Sequence, residues 1–564
     1  GSSNIAIGLN ALDVADTESN NLAIGRDALG GSVAGGEYNV AIGNYTLDAL
    51  TSADNVVAVG YQAGTAITTG GSNTLVGYRA GQDMVDGDGN VCVGTNAGKD
   101  ITSGANNVAI GQDALAQTTT TDANIAIGRN ALQLPDTEAN NLAIGHTAMS
   151  GSIAGGEFNV AVGNFTLDAL TSGDFNTAIG YISGSAITTG SNNTGIGNQS
   201  LEYLTTGSDN TAGGSGGLNA LTEGSSNTAF GRAALGAVTT ASNNTALGNH
   251  AGLGVTTGAT NVLIGSLVGS AGTMTGDNNV VMGYQAGKNM SSAHSNVIVG
   301  ENAGRNIGTG NNLVLIGRNA GDTLSTGTHS IFIGPEAGDG HDTETSNIGI
   351  GFNALGGSVA GGENNVALGI YSLDDLTSGD DNVATGYQAG TAITTGSKNT
   401  CVGKGAGGAL TTGDENLILG REAQAAAVDS DNSVTLGSSS ISSLRCQVQS
   451  ISALSDERDK TDIIDLPYGL DFINKTRPVQ FKWNIRDKYL LEGNPHQGKT
   501  RNGFIAQELA ALGNNEQHKL VLQDNPDRLE AAYSGMIPML VKAVQELSAQ
   551  VTTLQQELKT IKGE

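Results

Sequence analysis

The amino-acid sequence predicts a mainly β protein: a repetitive, trimeric parallel β-solenoid or β-roll shaft over residues 1–440, followed by a small α+β domain that ends in a trimeric coiled coil. Three observations lead to this prediction. A phrase of the type Asn-Val-Ala-Ile-Gly recurs 26 times, with its glycines 17 residues apart except for four steps of 18. Residues within the phrase alternate with the period of a β-strand. After Gly437 the repeat stops, and residues 535–562 carry apolar residues in heptads.

Each repeat contains a short strand followed by turns. β-branched residues commonly occupy the positions one and three before the glycine, as in Ile5 and Ile7 or Val40 and Ile42. This alternation predicts a strand with these residues on its buried face. Three residues after the glycine an alanine is common, such as Ala28, and it would fit a narrow interior. A 17-residue unit cannot bury its apolar face alone, so we expect the coils to stack on one another.

Asparagine occupies the position four before the glycine in 22 of the 26 copies. In two further copies the asparagine comes one residue earlier, at Asn55 and Asn312, and in two the residue is Ser330 or Ser433. Stacked coils would align these amides in a ladder, each bonded to the next. A row of ligand-binding amides is the alternative. We interpret the column as structural.

The repeat resembles the head repeats of trimeric bacterial adhesins, in which an Asn-Ser-Val-Ala-Ile-Gly phrase builds a trimeric left-handed β-roll. The resemblance implies a trimer. Because the unit of that family is shorter, the handedness and the coil shape stay open. Both a single-chain solenoid and a three-chain intertwined one satisfy the pattern. The segment 34–52 returns at 154–172 and 360–378, which we interpret as copying rather than as receptor contacts.

Charge and composition exclude several classes of function. The formal net charge is −28, and residues 1–450 hold 12 Lys and Arg against 38 Asp and Glu. Such an acidic shaft repels nucleic acid. No apolar run approaches the roughly 20 residues that cross a bilayer, so we expect no membrane insertion. Cys92, Cys401 and Cys446 have neither metal-ligand spacing nor the pattern of a disulfide scaffold. We expect no cofactor.

The last part of the chain has a different composition. Residues 441–454 are predicted to be a connector and 455–564 a separate domain, with a strand over 479–483 and a strand running into a helix over 503–512. A helix over 535–562 carries two interleaved apolar rows: Leu540, Leu547, Leu554 and Ile561, and Val544, Val551 and Leu558. This seam suits two or three helices. The trimer that the shaft repeat implies favours three helices.

Several motifs of this domain resemble the endosialidase-type intramolecular chaperone, which lies at the C-terminus of phage tail spikes and fibres and of some other trimeric proteins. They are Ser-Asp-Glu-Arg-Asp-Lys at 455–460, Val-Gln-Phe-Lys-Trp at 479–483, Gly-Phe-Ile-Ala-Gln-Glu at 503–508 and the terminal heptads. The resemblance implies a domain that trimerises, templates the β-structure before it, and then releases itself by autoproteolysis.

The same resemblance implies the residues of the self-cleavage reaction. Ser455 is the implied nucleophile and Lys460 the implied base, and the cut lies beside Ser455, next to either Leu454 or Asp456. Ser/Lys pairs are a known variant of serine hydrolysis, and the lysine must be neutral, hence desolvated. His496 is a candidate for orienting these groups. The alternative is that Ser455 only caps the N-terminus of a short helix.

One weak metal motif lies in the shaft. Asp86, Asp88 and Asn90 alternate with glycines like the oxygen ligands of a calcium loop. The later bidentate glutamate of such loops is missing, and the same residues are common in turns. Calcium is therefore an alternative interpretation, and the metal prediction is none.

The sequence as a whole predicts a structural tail-fibre protein of a virus that mediates attachment to a host cell, and at most a single-turnover autoprotease. Its expected partners are two further copies of itself, a glycan or outer-membrane component as receptor, and a virion tail or baseplate reached through a segment before Gly1. We expect it in the virion, after assembly in the host cytoplasm. A glycan-degrading tailspike and a bacterial trimeric adhesin are the alternatives. No insertion long enough to wall the groove of a glycosidase interrupts the repeats.

Overall fold

The computed structural model describes residues 1–14, 17–135, 138–441, 444, 455–484, 498–513, 515–523 and 529–563. The chain divides into two compact units, Gly1–Asn353 and Ala354–Glu564. The predicted fold class is confirmed: the protein is mainly β, with a parallel β-solenoid of 17-residue coils and a small helical and β region at the C-terminus. Leu454, Cys446 and His496 lie outside the described residues.

The first unit contains 21 three-residue strands of a parallel sheet, one from each coil. Consecutive coils of the same chain pair in register, so that Val108 lies beside Ile125 and Ile110 beside Ile127. The coils therefore form a single-chain solenoid. The strands are Ile5–Ile7, Leu22–Ile24, Val40–Ile42, Val57–Val59, Thr74–Val76, Val91–Val93, Val108–Ile110, Ile125–Ile127, Leu142–Ile144, Val160–Val162, Thr177–Ile179, Thr194–Ile196, Thr211–Gly213, Thr228–Phe230, Thr245–Leu247, Val262–Ile264, Val280–Met282, Val297–Val299, Val314–Ile316, Ile331–Ile333 and Ile348–Ile350. Leu134–Pro135 and Ser152–Ile153 form a second, two-stranded parallel sheet.

The structure reverses the predicted face of these strands. In every strand of the first unit except the first, the middle residue is buried, as at Ala41 and Ala109. We call the residues one and three before each glycine the outward positions, because they are intermediate or exposed in all 21 strands. Ile110 is 36% exposed and Leu247 52%. The prediction that the β-branched residues fill the interior was wrong.

Large aliphatic side chains of the interior come chiefly from positions four and seven residues after the glycine, and the longer row lies at the seventh. This row was missed in the sequence. Its buried members in the first unit are Leu50, Ile67, Met84, Ile101, Leu170, Ile187, Leu204, Leu221, Val238, Val255, Met290, Ile307 and Leu324. The predicted small residue is confirmed, since Ala28 and Ala63 are fully buried. Alanine, which is common at the middle of the strand and after the glycine, leaves a thin interior that a few aliphatic residues per coil fill.

The repeated glycine is required by close stacking. Gly111 has a φ of +131°, and a Cβ placed there would lie 2.5 Å from the carbonyl oxygen of Gly128 in the next coil. Such a distance is far below van der Waals contact, and the conformation itself disfavours residues other than glycine. The glycine therefore sets how closely consecutive coils approach.

The predicted asparagine ladder is present. The Asn90 Oδ1 atom accepts hydrogen bonds from the backbone N–H of Asn107 (3.0 Å) and from its Nδ2 (3.1 Å). The Asn107 Nδ2 also donates to the carbonyl oxygen of Thr121, at 2.7 Å. At the copy where Val56 replaces asparagine, its backbone N–H still donates to the Asn39 Oδ1. Each amide thus joins three consecutive coils while it is fully buried.

The second unit begins with five more strands of the same kind: Val366–Leu368, Val383–Thr385, Thr400–Val402, Leu417–Leu419 and Val434–Leu436. Its C-terminal region contains the 3-10 helix Glu457–Asp459, helix α1 (Leu470–Lys475), the antiparallel strands Val479–Lys482 and Thr500–Gly503, helices α2 (Ala506–Ala511) and α3 (Asn515–His518), the antiparallel strands Val521–Leu522 and Glu530–Ala531, the 3-10 helix Tyr533–Gly535, and helix α4 (Met536–Lys562). A small core of Phe472, Leu520, Met536 and Met539 packs α1 against α4. None of the described helices has the length and apolar character needed to span a membrane.

Removing one amide from the ladder should loosen the solenoid locally. In Asn193→Ala the buried Asn210 N–H and Gly207 carbonyl lose their partner, at 3.0 and 2.9 Å respectively. An unsatisfied buried group costs about 1–3 kcal/mol. We expect hydrogen exchange at the Asn210 amide to accelerate by roughly 5- to 150-fold. Asn198→Ala, an exposed residue of the same strand-and-turn segment, is the control and should leave that exchange rate unchanged. Equal rates in both variants would show that the ladder does not stabilise the coils.

Candidate active site

The structure brings Ser455 and Lys460 together. The Lys460 Nζ lies 2.7 Å from the Ser455 Oγ and 3.2 Å from the Ser455 carbonyl oxygen. Residues five apart meet in neither a helix nor a strand, so an intervening turn is needed. That turn is the 3-10 helix Glu457–Asp459, and the Lys460 N–H closes it by donating to the Glu457 carbonyl. The ammonium can therefore reach the serine oxygen directly.

Asp456 and Arg458 hold the turn in place. The Asp456 carboxylate accepts a hydrogen bond from the Arg458 backbone N–H (2.9 Å), which makes it the N-cap of the 3-10 helix. The Arg458 guanidinium folds back onto the same carboxylate, with Nε 3.0 Å from Oδ1. The hydrogen bond from the Arg458 side chain, and next the one from its backbone, lower the pKa of Asp456. Asp456 thus stays an anion and keeps the turn closed.

This capping arrangement bears on the alternative interpretation of Ser455. Asp456, and not Ser455, caps the short helix. The Ser455 hydroxyl is therefore left to interact with Lys460. The signal for this was in the sequence, since an aspartate before a helical turn is a common N-cap.

In the single chain, this pair is open to solvent. Ser455 and Lys460 are both exposed, and so are two large aliphatic residues close by, Ile463 (63%) and Ile464 (80%). The lysine of a Ser/Lys pair acts as a base in its neutral form, and removal of water from around the amine favours that form. The arrangement therefore supplies the contact between nucleophile and base, and further packing has to supply the desolvation.

Helix α4 presents an unpartnered apolar seam. All seven residues of the two predicted rows are between 45% and 82% exposed: Leu540, Val544, Leu547, Val551, Leu554, Leu558 and Ile561. The N-terminal half of α4 contacts α1, since the Glu546 carboxylate accepts a hydrogen bond from the Leu470 N–H at the start of α1 (2.7 Å). Gly469 leaves room for this contact, since a Cβ there would lie 2.3 Å from the carboxylate oxygen.

The other candidate residues either have contacts of their own or lie outside the described residues. The Asn90 Oδ1 belongs to the asparagine ladder, and an Asp88 oxygen accepts from the Gly71 N–H at 2.6 Å. Among the described residues, no group of three or more His, Cys, Asp or Glu could hold a metal ion. Cys92 and Cys401 are buried, and burial raises the pKa of each thiol to about 12. His496 and Leu454 lie outside the described residues.

Comparison with known proteins identifies one region. A family model described as chaperone of endosialidase matches residues 455–518, a match that begins at Ser455 and includes Lys460. This match supports the intramolecular chaperone domain predicted at the C-terminus. No curated protein and no solved structure matches the chain significantly.

Charges placed in the α4 seam should abolish self-association. The double variant Leu547→Glu/Leu554→Glu would bring carboxylates together wherever seams meet, and we expect it to sediment as a lighter species than the parent. Ala549→Glu/Gln556→Glu adds the same charges, also seven residues apart but off the seam, and should sediment like the parent. Analytical ultracentrifugation of the full chain measures both, with Ser455→Ala added to parent and variants alike so that each chain stays whole. If the seam variant keeps the mass of the parent assembly, the seam does not hold the chains together.

Proposed function

We propose that the protein is a fibre- or spike-forming structural protein of the phage-tail type that attaches a virion to a host cell. Its C-terminal domain would trimerise three chains, template their solenoids and then cut itself off. The observation that carries the proposal is the 2.7 Å contact between Lys460 Nζ and Ser455 Oγ at the start of the region that matches the chaperone family. The solenoid suits a fibre because its coils stack directly on one another in register.

The self-cleavage reaction needs only these residues and water. Neutral Lys460 takes the proton of the Ser455 hydroxyl while Oγ bonds to the carbonyl carbon of the adjacent scissile peptide. The carbon–nitrogen bond breaks, the leaving amine receives that proton, and water then hydrolyses the ester. The reaction turns over once in each chain.

Trimer formation would supply the missing desolvation. Ile463 and Ile464 are exposed a few residues after Lys460, and packing of neighbouring domains against these side chains would exclude water from the amine. Cleavage then follows folding and assembly, which prevents the template from leaving before the solenoids are complete. After cleavage the solenoids have lost the template, so assembly is irreversible.

Attachment to a host receptor, whether a glycan or an outer-membrane component, and location in the virion belong to the same proposal. They rest on the combination of a long repeat solenoid with this class of chaperone domain. The solenoid is strongly acidic and would repel nucleic acid, so a protein or sugar surface suits it better as a partner.

The cleavage test uses the full chain of 56.7 kDa. We expect the parent to yield two fragments that meet beside Ser455, and Ser455→Ala and Lys460→Ala each to remain a single band on a denaturing gel while still trimeric. Lys475→Ala, which removes a lysine at the end of α1, should cut like the parent. A parent chain that stays whole once trimeric would refute self-cleavage, and alanine variants that still cut at the same bond would refute the assignment of this pair.

A further inference from the structure

The outward positions of the solenoid form an apolar face without a single charge. In the first unit, 21 strands supply 42 outward positions, and these hold only Val, Ile, Leu, Thr, Phe, Met and one Gly. Charged residues make up 14% of the chain, so about six would be expected among 42 positions. The ten outward positions of the second unit follow the same rule. A surface meant for water would not exclude charge in this way.

The face is continuous as well as apolar. Because the strands pair in register, the outward residues line up in two straight rows, with Ile110 beside Ile127 and Val108 beside Ile125. The members that are at least 36% exposed include Ile110, Ile125, Ile179, Ile196, Phe230, Leu247 and Ile316. Soluble proteins that function as monomers rarely expose apolar patches larger than a few hundred Å². Two rows of apolar side chains that run through 21 consecutive strands form a patch much larger than that area.

We infer that this face is the interface between solenoids, and that its occupant is the same face of further copies of this chain. A partner has to be as long and as periodic as the face itself, with the same spacing between coils. A second copy in parallel register meets that requirement without further assumption. The exposed seam of α4 offers a second surface through which the same copies can meet. The inference rests on the proposed trimer and specifies the surface that joins the solenoids.

This arrangement explains the reversed strand pattern. A solenoid that had to be stable alone would bury its larger side chains and leave alanine outside. In most strands the smaller residue faces the interior, and the larger β-branched residue is reserved for the contact between chains. β-branched side chains suit such a packed sheet surface. Charged residues are then confined to the turns, away from the interface.

Thiol reactivity distinguishes a covered face from an open one. In a Cys446→Ser background, the remaining Cys92 and Cys401 are buried with raised pKa values and should react slowly with a maleimide. Ile110→Cys and Ile125→Cys probe the face, and Ser103→Cys and Thr120→Cys probe turns that are also exposed in the single chain. In the assembled full-length protein under reducing conditions, we expect the face thiols to react at least tenfold more slowly than the turn thiols.

The sedimentation mass of the same samples separates the possible failures. A trimer in which face and turn thiols react equally fast would overturn the interface and leave the proposed trimer standing. A monomer with reactive face thiols would refute both the interface and the trimer.

A second test places charges on the face. The triple variant Val76→Glu/Ile110→Glu/Ile125→Glu should lower the melting temperature of the solenoid. The control Thr69→Glu/Ser103→Glu/Thr120→Glu adds the same charge in turns and should leave the melting temperature unchanged. Equal effects of the two triple variants would also overturn the interface.

Discussion

The in-register stacking of parallel coils is the interaction on which the rest of the molecule depends. A coil of 17 residues has almost no interior of its own, and it is held by backbone hydrogen bonds, by the asparagine ladder and by aliphatic side chains of the coils beside it. The glycine, whose Cβ would strike the next coil, allows this close approach. The repeated glycine, the asparagine and the buried aliphatic residues all serve the contact between one coil and the next.

The same stacking creates a folding problem that the C-terminal region can solve. Twenty-six similar coils let two chains associate almost equally well when they are shifted by a whole repeat, because each coil presents the same kind of outward residues. Slow parallel pairing gives such errors time to accumulate. A domain that first brings three chains together at one end fixes a single register for all of them. The matched chaperone region and the exposed α4 seam lie at that end of the sequence.

Much of the fold could be predicted from the sequence because the repeat is long and regular. The 26 strands, the ladder and helix α4 all follow from periodicity, and α4 begins one residue after its predicted start. The buried face could not be predicted, because Val-Ala-Ile alternates large and small residues and does not say which set faces inward. The assumption that the larger side chains fill the interior holds for a chain that folds alone. At the candidate site, a spacing of five could not by itself join Ser455 to Lys460, and the resemblance to a family identified a pair whose contact depends on Asp456 and Arg458.

Cryo-electron microscopy of the full-length assembly tests most directly the claim that each chain forms its own solenoid and that the solenoids join through their outward residues. We predict three parallel solenoids in which neighbouring strands, about 4.8 Å apart, belong to the same chain. Ile110 and its equivalents should face a common axis. A reconstruction in which neighbouring strands come from different chains, or in which Ile110 faces solvent, would contradict it.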